Sequence, residues 1–287
     1  MASKISDFEQ LKIGIIGAGT MGRGIAQRFA QYGANVVLFD ISEKILQDSV
    51  KKIERNVKYT AFMNKNINTR KIMEKINTSE DLNNCRSIPL IIENVSEDIS
   101  IKKKVYTKLG KVCAKNAVIM ADTSCIPITK LGGFYGDPEN VIGVHFMNPV
   151  PLKNFAEVIR GWKTSEDCID TVKKVLTHIN IECEIINDSA GFVSNRLSHL
   201  FMNEAAFLVY EGVGDAKQID NIMKKGFGYK MGPLETADLI GLDTVLDSLE
   251  VLYKEYEDPK FRACPLLRRL IEVGETGRKA GKGFYKY

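Results

Sequence analysis

Little in this chain points to metal, membrane or nucleic acid. Its 287 residues include only three histidines and one tryptophan. The six cysteines form no Cys-x-x-Cys pair and no Cys/His cluster with zinc spacing. Neither a structural metal nor a disulfide framework is therefore expected, and the cysteines read as reduced thiols. No run reaches the roughly 20 apolar residues of a membrane span, and the polar start MASKISDFEQ has no signal-like apolar stretch. A cytoplasmic protein is expected. Forty basic residues against 36 acidic ones leave a net charge of +4, too balanced for a binder of nucleic acid or of a membrane surface. A chain that is 44% hydrophobic and 26% charged folds rather than staying disordered. What remains is small-molecule chemistry on about two domains.

Short apolar runs alternate with helical patterns in the first two thirds of the chain. Ile13 to Ile16 leads into Gly17, and Met21, Ile25, Phe29 and Tyr32 then recur at helical spacing. Val36 to Phe39 ends at Asp40 and is followed by a lysine-rich helix from Ser42 to about Lys58 or Lys65. Further runs at Ile88 to Ile92, Ala117 to Ala121 and Val141 to Phe146, with a helix from about Ile99 to Cys113, predict a parallel, doubly wound sheet. Phe155 to Ile159 and Ile181 to Ile186 add two strands around a helix whose start places Thr164 and Asp167 in capping-box positions. Beyond Asp188 the pattern is helical only, over 190–210, 215–225, 233–256 and 264–273. The expected fold is α/β, an N-terminal Rossmann domain over 1–188 and a C-terminal all-helical domain over 189–287.

Gly17-Ala18-Gly19-Thr20-Met21-Gly22 is a GxGxxG turn between a predicted strand and a predicted helix. In that context the first glycine turns the chain, the second admits the pyrophosphate, and the third packs helix on sheet. Asp40, 23 residues after Gly17, ends the second strand where an acid accepts hydrogen bonds from the adenosine ribose and repels a 2′-phosphate. NAD is favoured over NADP, and FAD is a weaker competitor for the same turn. A plain strand-helix corner is the bland alternative.

Proton transfer near neutral pH has few candidates. His145 closes an apolar strand at the sheet edge where α/β proteins bind ligands. Glu157 lies in the apolar strand Phe155 to Ile159, where a carboxylate is costly without a partner, and His145 is the obvious one. His178 reads as a solvated helix end, His199 as packing polarity one turn after Asn195, and Cys125 as a buried thiol rather than a nucleophile.

Taken together, Asp122-Thr123-Ser124, His145-Phe146-Met147-Asn148-Pro149, Glu157-Val158-Ile159, Gly191 to Arg196, Met231-Gly232-Pro233-Leu234, and Gly277 to Lys279 with Gly281 to Tyr285 resemble the motif set of the short-chain L-3-hydroxyacyl-CoA dehydrogenases, which include bacterial 3-hydroxybutyryl-CoA dehydrogenases. The resemblance covers nearly the whole chain. It implies a homodimer formed largely by the helical domain, and NAD as hydride acceptor. It also implies His145 as general base, Glu157 as its orienter, and Ser124 and Asn195 as hydrogen-bonding partners of the reacting oxygen. Asn148 would position substrate and nicotinamide. Glu97, Lys102 and Lys279 would make further NAD contacts, the two lysines being surface charges on the bland reading.

The chain departs from this pattern at Asp122, where Asn is usual, in the segment Asn94 to Asp98, at Ala190, and at Asn56 and Met63, where CoA-dependent members place a Ser and a Lys. The segments 145–153, 230–244 and 258–268 look closer to a subgroup acting on glyceryl groups of acyl carrier proteins, on the way to hydroxymalonyl or methoxymalonyl extender units. Both carriers, CoA and acyl carrier protein, stay open at this point. A catalytically silent, crystallin-like NAD-binding protein is the alternative from another class.

Overall fold

The structure, a computed structural model, describes residues 8–63 and 67–287, so Lys65 and most of the polar start MASKISDFEQ lie outside the described residues. The chain divides into two compact units, Met1–Ser189 and Ala190–Tyr287.

Among the described residues the first unit is built on eight strands: β1 (Lys12–Ile16), β2 (Asn35–Phe39), β3 (Ile76–Ser79), β4 (Leu90–Glu93), β5 (Val118–Ala121), β6 (Val141–Phe146), β7 (Phe155–Arg160) and β8 (Glu182–Asn187). The α-helices described with them are α1 (Thr20–Gln31), α2 (Glu43–Met63), α3 (Thr69–Met73), α4 (Ile99–Val112), α5 (Ile128–Tyr135) and α6 (Glu166–His178). The strands form one sheet in the order β3-β2-β1-β4-β5-β6-β7-β8. The β1, β4 and β5 runs are apolar because both faces are covered, and Ile13, Ile15, Ile91, Ile92, Ile119 and Met120 are fully buried.

Several expectations need correction. The sheet is parallel only as far as β6, because β7 runs antiparallel to β6 and β8 parallel to β7. The connection from Phe146 to Phe155 is too short for the crossover that a parallel partner requires. β3 was not visible in the sequence, since it buries only Ile76 and its INTS residues carry no apolar run. The cap of α6 is Ser165, whose side chain accepts from Cys168 N–H, whereas Thr164 donates its hydroxyl to the Val141 carbonyl.

The second unit holds α7 (Ser194–Tyr210), α8 (Ala216–Phe227), α9 (Pro233–Ile240), α10 (Leu242–Tyr256) and α11 (Pro265–Glu272). The single helix expected over 233–256 is two, divided at Gly241, whose φ of 106° leaves the helical region. Met202, Ala206, Leu234, Leu242, Val245 and Leu249 form the core. Two carboxylates tie its segments together, Asp238 at the tail and Asp220 at the start of α9. Asp238 accepts from the N–H groups of Phe284 and Tyr285 at 3.0 and 2.9 Å, and Asp220 from those of Leu234 and Glu235 at 2.9 and 2.8 Å. A Cβ on Gly232 would meet the Asp220 carboxyl carbon at 2.2 Å, and one on Gly283 would meet Asp238 Oδ1 at 2.1 Å. Those glycines of the sequence motifs are therefore packing requirements.

No disulfide joins the six cysteines, and among the described residues no helix is long and apolar enough to cross a membrane.

Candidate active site

The glycine-rich turn is shaped by contact on two sides and openness on the third. Gly17 has φ +101°, and a Cβ there would meet the Asn94 carbonyl oxygen at 2.6 Å. A Cβ on Gly22 would meet the Gly17 oxygen at 1.9 Å, whereas one on Gly19 has nothing within 4 Å. The middle glycine thus faces free space where a pyrophosphate approaches, and α1 begins there with no side-chain cap on its first amides. Asp40 is held against the turn, with Oδ2 accepting from Ala18 N–H and Oδ1 from Ile41 N–H, both at 2.8 Å. The residues present therefore fit a dinucleotide. Sequence reasoning missed Arg23, one turn into α1, whose guanidinium donates to the Ala18 carbonyl and Thr20 Oγ1 at 3.1 and 3.2 Å.

At the same end of the sheet, His145 on β6 stands directly across the antiparallel ladder from Glu157 on β7. Imidazole Nδ1 and Glu157 Oε2 are 2.9 Å apart, with side-chain exposures of 13% and 7%. Acceptance by the carboxylate fixes Nδ1 as the protonated nitrogen and leaves Nε2 to exchange protons. Asp122, just beyond β5, binds the backbone next to the imidazole's residue, its Oδ1 accepting from Phe146 N–H at 3.3 Å. Burial pushes the Asp122 carboxyl up to about 7, against the pull of His145, of that N–H and of Lys102.

Lys102 is not a surface lysine. Its side chain is fully buried and donates to both Glu93 oxygens, at 2.9 and 3.0 Å, with Glu97 Oε2 at 3.8 Å. Burial raises the Glu93 pKa, and the Lys102 ammonium opposes that rise. Glu97 Oε1 accepts from Thr123 Oγ1 at 2.6 Å and from the N–H groups of Ser124, Cys125 and Ile126 at 3.0, 2.9 and 3.3 Å. Ser124 thus sits in a turn gathered around a carboxylate oxygen. Asn148 follows β6 and, with Thr20, Arg23, Asn56, Tyr59 and Leu152, lines a cleft of about 360 Å³.

Asn195 and Lys279 belong to the helical unit. Asn195 lies in the first turn of α7, and its carbonyl oxygen is 2.8 Å from His199 Nδ1. His199 is buried, as expected of packing polarity. Lys279 pairs with Asp243, at 2.5 Å to Oδ2. His178 stacks on Phe8 with ring centroids 3.8 Å apart.

A dinucleotide turn and a carboxylate-backed imidazole at one end of a Rossmann sheet define an NAD-dependent oxidoreductase. Family models agree. Residues 12–188 match the NAD-binding domain of 3-hydroxyacyl-CoA dehydrogenase, and residues 191–287 match its C-terminal domain. The chain belongs to the 3-hydroxyacyl-CoA dehydrogenase family. Among its relatives, a probable 3-hydroxybutyryl-CoA dehydrogenase of Deinococcus radiodurans is 40% identical over 278 residues, covering 96% of this chain and all of the relative. Another, of Bacillus subtilis, is 37% identical over 282 residues, 98% of each chain. The crystal structure of (S)-3-hydroxybutyryl-CoA dehydrogenase from Ralstonia eutropha superposes with a TM-score of 0.91 at 36% identity, covering 96% of this chain and 98% of that one.

Proposed function

We propose that the protein interconverts L-3-hydroxybutyryl-CoA and acetoacetyl-CoA with NAD. The observation that carries the chemistry is the pairing of His145 Nδ1 with Glu157 Oε2 at 2.9 Å, which leaves Nε2 as a base. His145 Nε2 takes the 3-hydroxyl proton in oxidation and returns it in reduction, while Glu157 orients the ring and balances its charge when protonated. Nicotinamide, when bound, accepts the hydride from the same carbon. Ser124 hydrogen-bonds the oxygen as it gains carbonyl character, and the family resemblance gives Asn195 the same role. Gly17, Gly19, Thr20, Met21 and Gly22 carry the pyrophosphate, with Arg23 at hand, and Asp40 takes the adenosine ribose. Asn148 and Lys279 complete the dinucleotide contacts. We assign Lys102 to holding Glu93 and Glu97 rather than to the dinucleotide, because its ammonium is enclosed by them.

CoA is favoured over an acyl carrier protein because the relatives named above act on, or are named for, CoA thioesters. The cleft beside Asn148 takes the pantetheine arm, with the Tyr59 ring and Leu152 along it and Asn56, Arg23, Gln27 and Thr60 among its polar groups. Two copies pair through the helical unit, where Val213, Ile222 and Phe227 are exposed. The solution mass from light scattering checks that pairing.

The experiment is a steady-state assay of NADH consumption with acetoacetyl-CoA, run beside acetoacetyl and glyceryl groups loaded on a carrier protein. Saturable micromolar turnover of the CoA ester is expected. Turnover of the carrier protein alone would move the assignment to the extender-unit subgroup, and turnover of neither, with NADH still bound, would favour the catalytically silent protein.

A further inference from the structure

We infer that Glu97 is a positioning residue for the reaction, acting through the 123–126 turn to set where the Ser124 side chain stands. This rests on the role proposed above for Ser124. Three consecutive N–H groups, of Ser124, Cys125 and Ile126, converge on Glu97 Oε1 together with the Thr123 hydroxyl. Successive amides that point inward in this way form an anion-binding concavity, and here the chain fills the concavity with its own carboxylate.

The carboxylate is itself anchored. Its other oxygen lies 3.8 Å from Lys102 Nζ, and that ammonium is bound to Glu93 at the end of β4. Glu93 Oε1 also accepts from Val95 N–H at 2.7 Å, and Asp98 Oδ1 caps α4 by accepting from Ser100 and Ile101 N–H at 2.7 and 3.0 Å. The backbone on both sides of Glu97 is therefore fixed. Past the turn, Asp188 accepts from Ile128 and Thr129 N–H at 3.0 and 2.7 Å. Ser124 sits on a segment tied down by one carboxylate at 123–126 and by another at 128–129. A serine that must meet a reacting oxygen within a few tenths of an ångström needs such support, because small misplacements cost rate rather than cofactor affinity.

Two measurements test this in the full-length protein. Amide hydrogen exchange of Glu97→Ala without substrate should show faster exchange at Ser124, Cys125 and Ile126 and unchanged protection at Ile128 and Thr129, which Asp188 holds. Kinetics with acetoacetyl-CoA should show kcat lowered about tenfold to a hundredfold. The NADH dissociation constant, read by fluorescence, should stay within about twofold, which separates the turn from a direct cofactor contact. Glu97→Gln, whose amide oxygen still accepts, should recover part of the loss. In a Ser124→Ala background the Glu97→Ala penalty should shrink to about threefold or less, since the two residues act as one unit. Unchanged exchange at 124–126 would overturn the inference. So would NADH affinity falling in step with kcat, or full multiplication of the two losses. Lack of turnover by the native protein would defeat the proposed function instead, and the exchange result would still decide the clamp.

Discussion

His145 and Glu157 occupy directly opposed positions of an antiparallel strand pair, so the ladder that joins β6 to β7 also sets the 2.9 Å contact between imidazole and carboxylate. Opposed residues point to the same face, and no loop intervenes in the alignment. This rigidity makes the pair the first target. His145→Ala should lower kcat for acetoacetyl-CoA reduction by at least about a hundredfold, with NADH affinity retained. Glu157→Gln should lower it less, because the amide oxygen still orients Nδ1–H but carries no charge to balance the protonated ring. If His199→Ala were the more damaging change in the same assay, the base would have been misassigned.

Cofactor choice follows from Asp40, whose carboxylate is pinned at the glycine turn by two backbone N–H groups. The native protein should show higher kcat/KM with NADH than with NADPH, since a 2′-phosphate would meet that charge. Asp40→Ala should narrow the ratio about tenfold or more. A ratio unmoved by the substitution would place the discrimination elsewhere.

The ion pair beneath the turn makes a stability prediction. Lys102 and Glu93 are both fully buried, so Lys102→Met strands a carboxylate in the interior. The unfolding free energy should fall by about 3–5 kcal/mol in urea titrations. Replacing both partners, Lys102→Met with Glu93→Leu, should recover much of that loss, because the cost lies in the uncompensated charge. A double variant no more stable than the single one would show that the pair contributes more than neutralisation.

Asp122 gives a pH dependence with a definite sign. Its carboxyl is raised to about 7 in the folded chain, from an unfolded value near 4, with burial as the main cause. Between those values the folded state holds the proton that the unfolded state has lost, so this group's contribution to stability falls as pH rises from about 4 to about 7. Asp122→Asn removes that slope while its oxygen still accepts from Phe146 N–H. Thermal melts should therefore show the variant gaining on the native protein between pH 5 and pH 8. A constant difference across that range would mean that Asp122 titrates normally.

The sequence made some of this site legible and hid the rest for identifiable reasons. The glycine turn and Asp40 could be read because each carries an unusual residue type at a fixed offset from an apolar run. Glu157 stood out as a charge in an apolar strand, and that cost pointed to its partner. The antiparallel turn of the sheet after β6 was not read, although the short 147–154 connection was its signal. The division at Gly241 was hidden by continuous helical periodicity on both sides. Arg23 looked like any exposed helix charge, and Lys102 like one of three consecutive lysines, since only the fold shows that this one points inward at Glu93. Asp122 appeared as a departure from a motif, without any hint that it would accept from the Phe146 N–H or that burial would raise its carboxyl. The Glu97 bonds to 123–126 span more than 25 residues, and no local pattern announces them.

The hairpin of β6 and β7 also divides the site by how far along the chain its parts depend on one another. His145 and Glu157 are 12 residues apart, so closing one short loop assembles the acid–base pair. The dinucleotide turn instead needs the Phe39 carbonyl for Gly17 N–H, Asp40 for Ala18 N–H, and Asn94 beside Ile16, contacts that draw on three strands and the long segments between them. The acid–base pair is thus a portable local module, whereas cofactor recognition is a collective property of the half-sheet. Insertions between β2 and β4 endanger cofactor recognition and leave the acid–base pair untouched.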